Sequence, residues 1–183
     1  RHSSSAASDV YKRQQLARSF KKTGMTIMTG TEVTDVKTTA KGCTVSYKDK
    51  KGEGKIECDI VLSAVGVVAN IENIGLEDVG VATDKGKIMV NDYYETNIPG
   101  IYAIGDCAPG QALAHVASAE GIICVEKIAR QDPEPLDYGN IPGCTYCSPE
   151  VASVGMTENA AKEAGHDIKA VSYTHLTLPT NCV

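Results

Sequence analysis

The stretch from Thr96 to Gly121, TNIPGIYAIGDCAPGQALAHVASAEG, is where residue types and spacing most suggest chemistry. An apolar segment runs into Gly105 and Asp106, turns through Pro109-Gly110 and opens onto an alanine-rich helix near Ala112. An ionised aspartate only accepts hydrogen bonds, so a ligand at Asp106 should offer hydroxyl or amine donors, and a polyol chain fits well. Gly105 removes a Cβ that would stand in the way. The helix start supplies unsatisfied N–H groups and the positive end of a dipole, which suit an electron-rich, partly anionic group. The plainer reading makes Asp106 a turn or capping carboxylate. On that reading Ala112, Ala114, Ala117, Ser118 and Ala119 serve helix propensity and close packing.

Two other groups invite chemistry and hold less of it. His115 and Glu120 could be imagined as a base and its orienter. Five residues apart on a helix they diverge by about 140°, which is poor geometry for a hydrogen-bonded pair. Glu120 is therefore expected on the helix surface or at an interface. The seven cysteines (43, 58, 107, 124, 144, 147, 182) read as reduced thiols. Only Cys144 and Cys147 have C-x-x-C spacing, and in the strand-like GCTYCSPEVASVG they would point to opposite faces. They are expected to be ordinary thiols, with no metal site.

The elements that position these residues follow from the rest of the chain, 183 residues with a net charge of −5. Lysines and arginines are scattered in runs no longer than two, so no basic stripe is expected for a nucleic-acid backbone. The longest apolar runs, such as DIVLSAVGVVANI, fall short of the ~20 residues a spanning helix needs. With no leader resembling a signal peptide, a cytoplasmic protein with small-molecule partners and no membrane partner is expected.

QLARSFKKTG reads as the end of a helix closed by Gly24, with Leu16, Ala17 and Phe20 on one side. MTIMTGTEVTDVKTT predicts a strand, a turn and a strand. CTVSYKD and KIECDIVLSAVG, joined by a polar turn, predict an antiparallel ribbon feeding a buried strand. A long irregular crossing from Val67 to Gly100 precedes a second buried strand, GIYAIGD, and a helix over 112–130. After the linker RQDPEPLDYGNIPG come a strand and the helix TENAAKEAG, with Thr157 as N-cap and Gly165 as stop. The layout is α/β. The two ends, residues 1–14 and 172–183, lack this periodicity, resemble translated sequencing adaptor and are expected to be foreign to the rest.

The motif TNIPGIYAIGDC, with Thr96, Pro99, Ile101, Tyr102, Ala103, Gly105 and Asp106, followed by LAHVASAEG, resembles the second flavin-binding motif of the pyridine nucleotide-disulfide oxidoreductases. The resemblance extends through DIVLSAVG and NIENIGLEDVG upstream and YCSPEVASVGMTE downstream. Within that family, LAHVASAEGI and SPEVASVG are most similar to the dihydrolipoamide dehydrogenase branch, ahead of sisters such as mercuric or glutathione reductase. The fold implied is a fragment of an enzyme with two dinucleotide-binding domains, for FAD and NAD(P), together with the start of an α+β dimerisation domain. Residues 15–66 would end the NAD-binding domain, 67–130 return to the FAD-binding domain and 131–171 begin the dimerisation domain.

The resemblance also assigns cofactor contacts. It implies FAD, with Gly105 and Asp106 beside its ribityl chain and Leu113, Ala114 and His115 facing the pyrimidine edge of the flavin. It implies NAD, with Gly66 near the nicotinamide half. After Gly66 many relatives continue Gly-Arg-Arg-Pro-Asn, whereas this chain has GVVAN, so Val67 and Val68 are not assigned as ligands. The implied partners are a second copy of the parent chain and a lipoyl-bearing protein of a 2-oxoacid dehydrogenase or glycine cleavage complex. The Cys-x4-Cys disulfide, the carboxyl-terminal His-Glu base and the glycine-rich nucleotide loops of that family do not occur here. The chain is thus expected to be truncated at both ends, inactive alone, with no catalytic residue of its own; the alternatives are a fragment of a sister reductase or a non-catalytic binding module.

Overall fold

The computed structural model describes residues 10–171; the expectations for residues 1–9 and 172–183 lie outside it. Helix α1 spans Val10–Lys22 and turns off at Gly24, where Met25 N–H reaches back to Phe20 O at 3.0 Å. It takes in residues 10–14, where no helical periodicity was expected. Leu16, Ala17 and Phe20 are half-buried.

Three antiparallel strands follow in the order β1 (Glu32–Thr39), β2 (Gly42–Asp49) and β3 (Gly52–Cys58). The register of β1 on β2 slips by one between Val33 and Asp35, while β2 and β3 pair without interruption from Cys43↔Cys58 to Asp49↔Gly52. Asp49 closes that turn by accepting from Lys51 N–H and Gly52 N–H. The Tyr47 ring covers Gly54 opposite it, so closely that a Cβ there would lie 2.5 Å from the ring. The expected ribbon is present.

Two of the expected strands are not. Met25–Met28 pairs with nothing among the described residues, and the run after β3, which was to be a buried strand, is unpaired and open. Ile60, Leu62, Val65, Val67 and Val68 are exposed, Val65 to 93%. A buried strand needs neighbours to take up its amides and side chains, and the described residues supply none here.

The core lies between residues 69 and 124. Ala69, Ile71, Val81, Ile88 and Ala103 form one buried cluster, with Leu76, Val90, Ile98 and Ile101 packed against it. It is bracketed by a single-turn helix α2 (Leu76–Val79) and a two-residue hairpin of β4 (Thr83–Asp84) with β5 (Lys87–Ile88). The segment GIYAIGD, expected as a buried strand, makes only one bridge among the described residues, Glu95↔Tyr102, with Ala103 buried and Ile104 exposed. Its backbone is instead tied to the preceding turn, Ala103 N–H to Tyr94 O and Thr96 N–H to Ile101 O.

Helix α3 runs over Ala114–Ile128 and buries Val116, Glu120 and Cys124. Beyond the linker, β6 (Gly143–Thr145) and β7 (Val151–Ser153) form a hairpin rather than one strand, and α4 covers Glu158–Glu163. Thr157 caps α4 by accepting from Ala160 N–H at 3.2 Å, as expected. Cys144 lies in β6 and Cys147 in the connecting turn, both as free thiols. Among the described residues no group of His, Cys, Asp and Glu is placed to hold a metal, and no helix is long and apolar enough to cross a membrane.

Candidate functional site

Gly105, Asp106 and Cys107 form one 3-10 turn at the end of the extended segment 101–104. Gly105 adopts φ +72, a left-handed conformation that a side chain disfavours. A Cβ there would also lie 3.2 Å from the Ala117 Cβ on α3. The glycine thus serves the backbone and the approach of α3, in addition to any ligand. Of the small residues expected to pack closely, Ala117 is the one that does so against this turn.

Asp106 is exposed, and its carboxylate has no hydrogen-bond or ion-pair partner among the described residues. Only its backbone oxygen is engaged, by the Lys87 ammonium. A turn-holding or capping carboxylate would bond to a nearby N–H, and this one does not. It is free to accept from something else.

Helix α3 begins two residues later than expected, with Leu113 as an extended N-cap residue whose side chain makes no cap bond. The first-turn N–H groups therefore have no side-chain acceptor. Ala114 and His115 are exposed there. The His115 ring turns away from Glu120 and bonds through Nε2 to Pro142 O at 3.0 Å. His115, Val116 and Ala119 line a cleft of about 270 Å³ against Leu136, Asp137 and Ile141 of the linker.

Beneath the turn lies what the sequence reading missed. Glu120, expected on the surface, is 1% exposed and is the largest fully buried side chain among the described residues. Its Oε2 accepts from Gly105 N–H at 2.6 Å and its Oε1 from the Tyr138 hydroxyl at 2.6 Å. Tyr138 in turn lies 3.4 Å, oxygen to oxygen, from Tyr94, which is 2% exposed and holds φ +68. Partial desolvation of its hydroxyl first, then the bond to Glu120 and the neighbouring Tyr94, pushes the Tyr138 phenol above its usual value, although the residue as a whole is 36% exposed. Tyr94 is raised as well, mainly by burial. The signal was available: Glu120 is four residues from both Val116 and Cys124, on the buried stripe of α3.

Gly105, Asp106 and the start of α3 at Leu113–His115 sit on adjoining elements. Gly66 does not join them: it lies within the exposed run, at φ +121, with open space where a Cβ would be.

The description "Pyridine nucleotide-disulphide oxidoreductase" matches residues 7–121, and the dimerisation domain of the same group matches residues 141–180. The chain belongs to the pyridine nucleotide-disulphide oxidoreductase family. It is 49% identical over 154 residues to the dihydrolipoyl dehydrogenase of Rhizobium etli, covering 83% of this chain and 32% of that protein. With the dihydrolipoyl dehydrogenase of Bacillus subtilis it shares 45% over 152 residues, 82% of this chain and 32% of the relative. Among solved structures it is similar to LpdA from Mycobacterium tuberculosis, with a TM-score of 0.77 and 27% identity over 85% of this chain and 34% of that one. The chain spans about a third of the length of these family members. The fold class read from the sequence is that of this oxidoreductase family, with the start of its dimerisation domain included.

Proposed function

We propose that this chain is the returning flavin-binding portion of a dihydrolipoyl dehydrogenase, an enzyme that oxidises protein-bound dihydrolipoamide with NAD+ through FAD. The observation that carries this is the 49% identity to the Rhizobium etli protein across most of the chain, which favours this branch over the sister reductases. On this reading residues 15–66 close the NAD-binding domain, 67–130 return to the FAD-binding domain and 131–171 open the dimerisation domain.

The residues present fit a flavin. Asp106 offers a carboxylate with no partner among the described residues, suited to a ribityl hydroxyl. The uncapped first turn of α3, at Leu113, Ala114 and His115, offers N–H groups and a positive dipole end to the electron-rich edge of the ring. Gly105 lets the turn pass close under α3, and Glu120 fixes it there. Gly66 is assigned to the nicotinamide half of NAD. When bound, FAD supplies the electron-transfer chemistry itself. This chain's part is to hold that group and favour charge at its pyrimidine edge. The working protein is assigned as a cytoplasmic homodimer that acts on the lipoyl-bearing protein of a 2-oxoacid dehydrogenase or glycine cleavage complex.

The test is turnover. The protein encoded by the uninterrupted reading frame should reduce NAD+ with dihydrolipoamide, and the 183-residue chain alone should not, since it has no Cys-x4-Cys pair. Turnover with glutathione disulfide or Hg(II), and none with dihydrolipoamide, would assign the parent to a sister reductase instead.

A further inference from the structure

The ribbon holds a pair of thiols that the flavin chemistry does not use. Cys43 near the start of β2 and Cys58 at the end of β3 are direct cross-strand partners, so their side chains leave the same face of the sheet. Directly opposed antiparallel residues have Cα atoms about 4.5 or 5.5 Å apart, depending on whether the pair exchanges hydrogen bonds. Either separation lies inside the range a disulfide spans, about 4.4–6.8 Å.

The local contacts hold the two together. Cys58 Sγ lies 3.8 Å from Cys43 O, and Cys43 Sγ lies 4.0 Å from Thr38 Oγ1 in the same row on β1 and 3.9 Å from Asp59 O. The strands are drawn in at this end: a Cβ on Gly42, at φ +133, would lie 2.7 Å from Cys58 O. The turn that delivers Gly42 is itself tied, with Thr39 Oγ1 donating to Gly42 O at 3.1 Å and accepting from Lys41 N–H at 3.2 Å. Both thiols are free and half-buried, so a small reagent can reach them.

We infer that Cys43 and Cys58 form a dithiol–disulfide site, oxidised by a low-molecular-weight disulfide to a cross-strand bond between β2 and β3. One cysteine, as thiolate, attacks the reagent's S–S bond, giving a mixed disulfide and releasing one thiol. The second cysteine then attacks the protein sulfur of that mixed disulfide, forming the Cys43–Cys58 bond and releasing the second thiol. The protein loses two electrons and two protons, and the reagent disulfide is reduced to two thiols. The bond would fasten the last residue of β3 just before the chain leaves for Gly66.

The full chain is incubated with oxidised glutathione, free thiols are alkylated, and the digest is mapped by mass spectrometry, natively and in guanidinium chloride. The native sample should give one dominant cross-link, between the Cys43 and Cys58 peptides, with the mass of two hydrogens lost and no glutathione retained there. In guanidinium chloride that preference should disappear. Cys43→Ser and Cys58→Ser should each stop at glutathione on the remaining cysteine. Glutathione retained separately on both cysteines of the native chain would overturn the inference. So would a cross-link of either one to Cys107, Cys124, Cys144 or Cys147, or the same mixture with and without denaturant.

Discussion

The backbone N–H of Gly105 donates to the buried Glu120 carboxylate at 2.6 Å, fifteen residues away in sequence. The other oxygen of that carboxylate accepts from Tyr138 at 2.6 Å. One side chain therefore fastens three parts of the molecule: the turn that presents Asp106, helix α3 whose N-terminus faces the same region, and the linker that leads to β6. A buried carboxylate is costly unless both oxygens are satisfied, and here each has a donor.

Replacing Glu120 by Ala leaves the Gly105 amide and the Tyr138 hydroxyl without their acceptor inside the fold. Urea denaturation should show a loss of about 2–5 kcal/mol. Glu120→Gln keeps one acceptor and offers an amide donor that the Tyr138 hydroxyl can turn to accept, so it should lose less. Equal losses for the two variants would mean that the bonds are not what stabilises this position.

Tyr138→Phe tests the same network through pH. The phenol is raised in the folded state, so its contribution is fully present below its unfolded value of 10.0 and is lost as pH climbs above that. In that range the unfolded chain has released the proton while the folded one retains it. Stability of the wild type should therefore fall as pH rises past 10, and the variant should fall less steeply, with Tyr94 accounting for part of the slope that remains. At neutral pH the variant should be weaker by about 1–3 kcal/mol, because Glu120 Oε1 loses its donor. Parallel alkaline limbs would contradict the hydrogen bond that holds the Tyr138 phenol protonated against Glu120.

Gly105→Ala should destabilise by about 1–3 kcal/mol, combining a side chain at φ +72 with a Cβ 3.2 Å from Ala117. The two parts separate in a double-mutant cycle. Gly105→Ala should cost less in an Ala117→Gly background, where the packing conflict is gone and only the backbone strain remains. Strict additivity would remove the close approach of turn and helix as a cause.

The ribbon, α1, α3 and the capped helix α4 were legible because their signals are local: alternation, a polar turn, Gly24 as a stop, Thr157 as a cap. Met25–Met28 and the run after Cys58 carry the same strand-like pattern, but a strand is completed by its neighbours, and none stands beside these segments among the described residues. GIYAIGD kept its place and its buried Ala103 while gaining only one bridge. At the site, Gly105 and Asp106 could be singled out by type. Glu120 could not be read by type, since a glutamate on a helix is usually solvated; its spacing from Val116 and Cys124 was the only sign. Tyr138, 18 residues from Glu120, meets it, and Tyr94, 26 residues away, meets Tyr138, only through the tertiary fold.

The most direct test of the proposed flavin site is Asp106 in the full-length protein. Its carboxylate caps nothing among the described residues, so Asp106→Ala should leave the melting of the apo-protein nearly unchanged. It should weaken FAD binding about 10- to 100-fold, the loss of a charge-assisted hydrogen bond to a ribityl hydroxyl worth roughly 1.5–3 kcal/mol. Asp106→Asn keeps an acceptor of similar shape and should lose less. FAD dissociation and apo-protein melting measured for wild type and both variants decide it: a selective loss of flavin supports the contact, and unchanged FAD affinity in Asp106→Ala, or a loss matched by a collapse of the apo-protein, contradicts it.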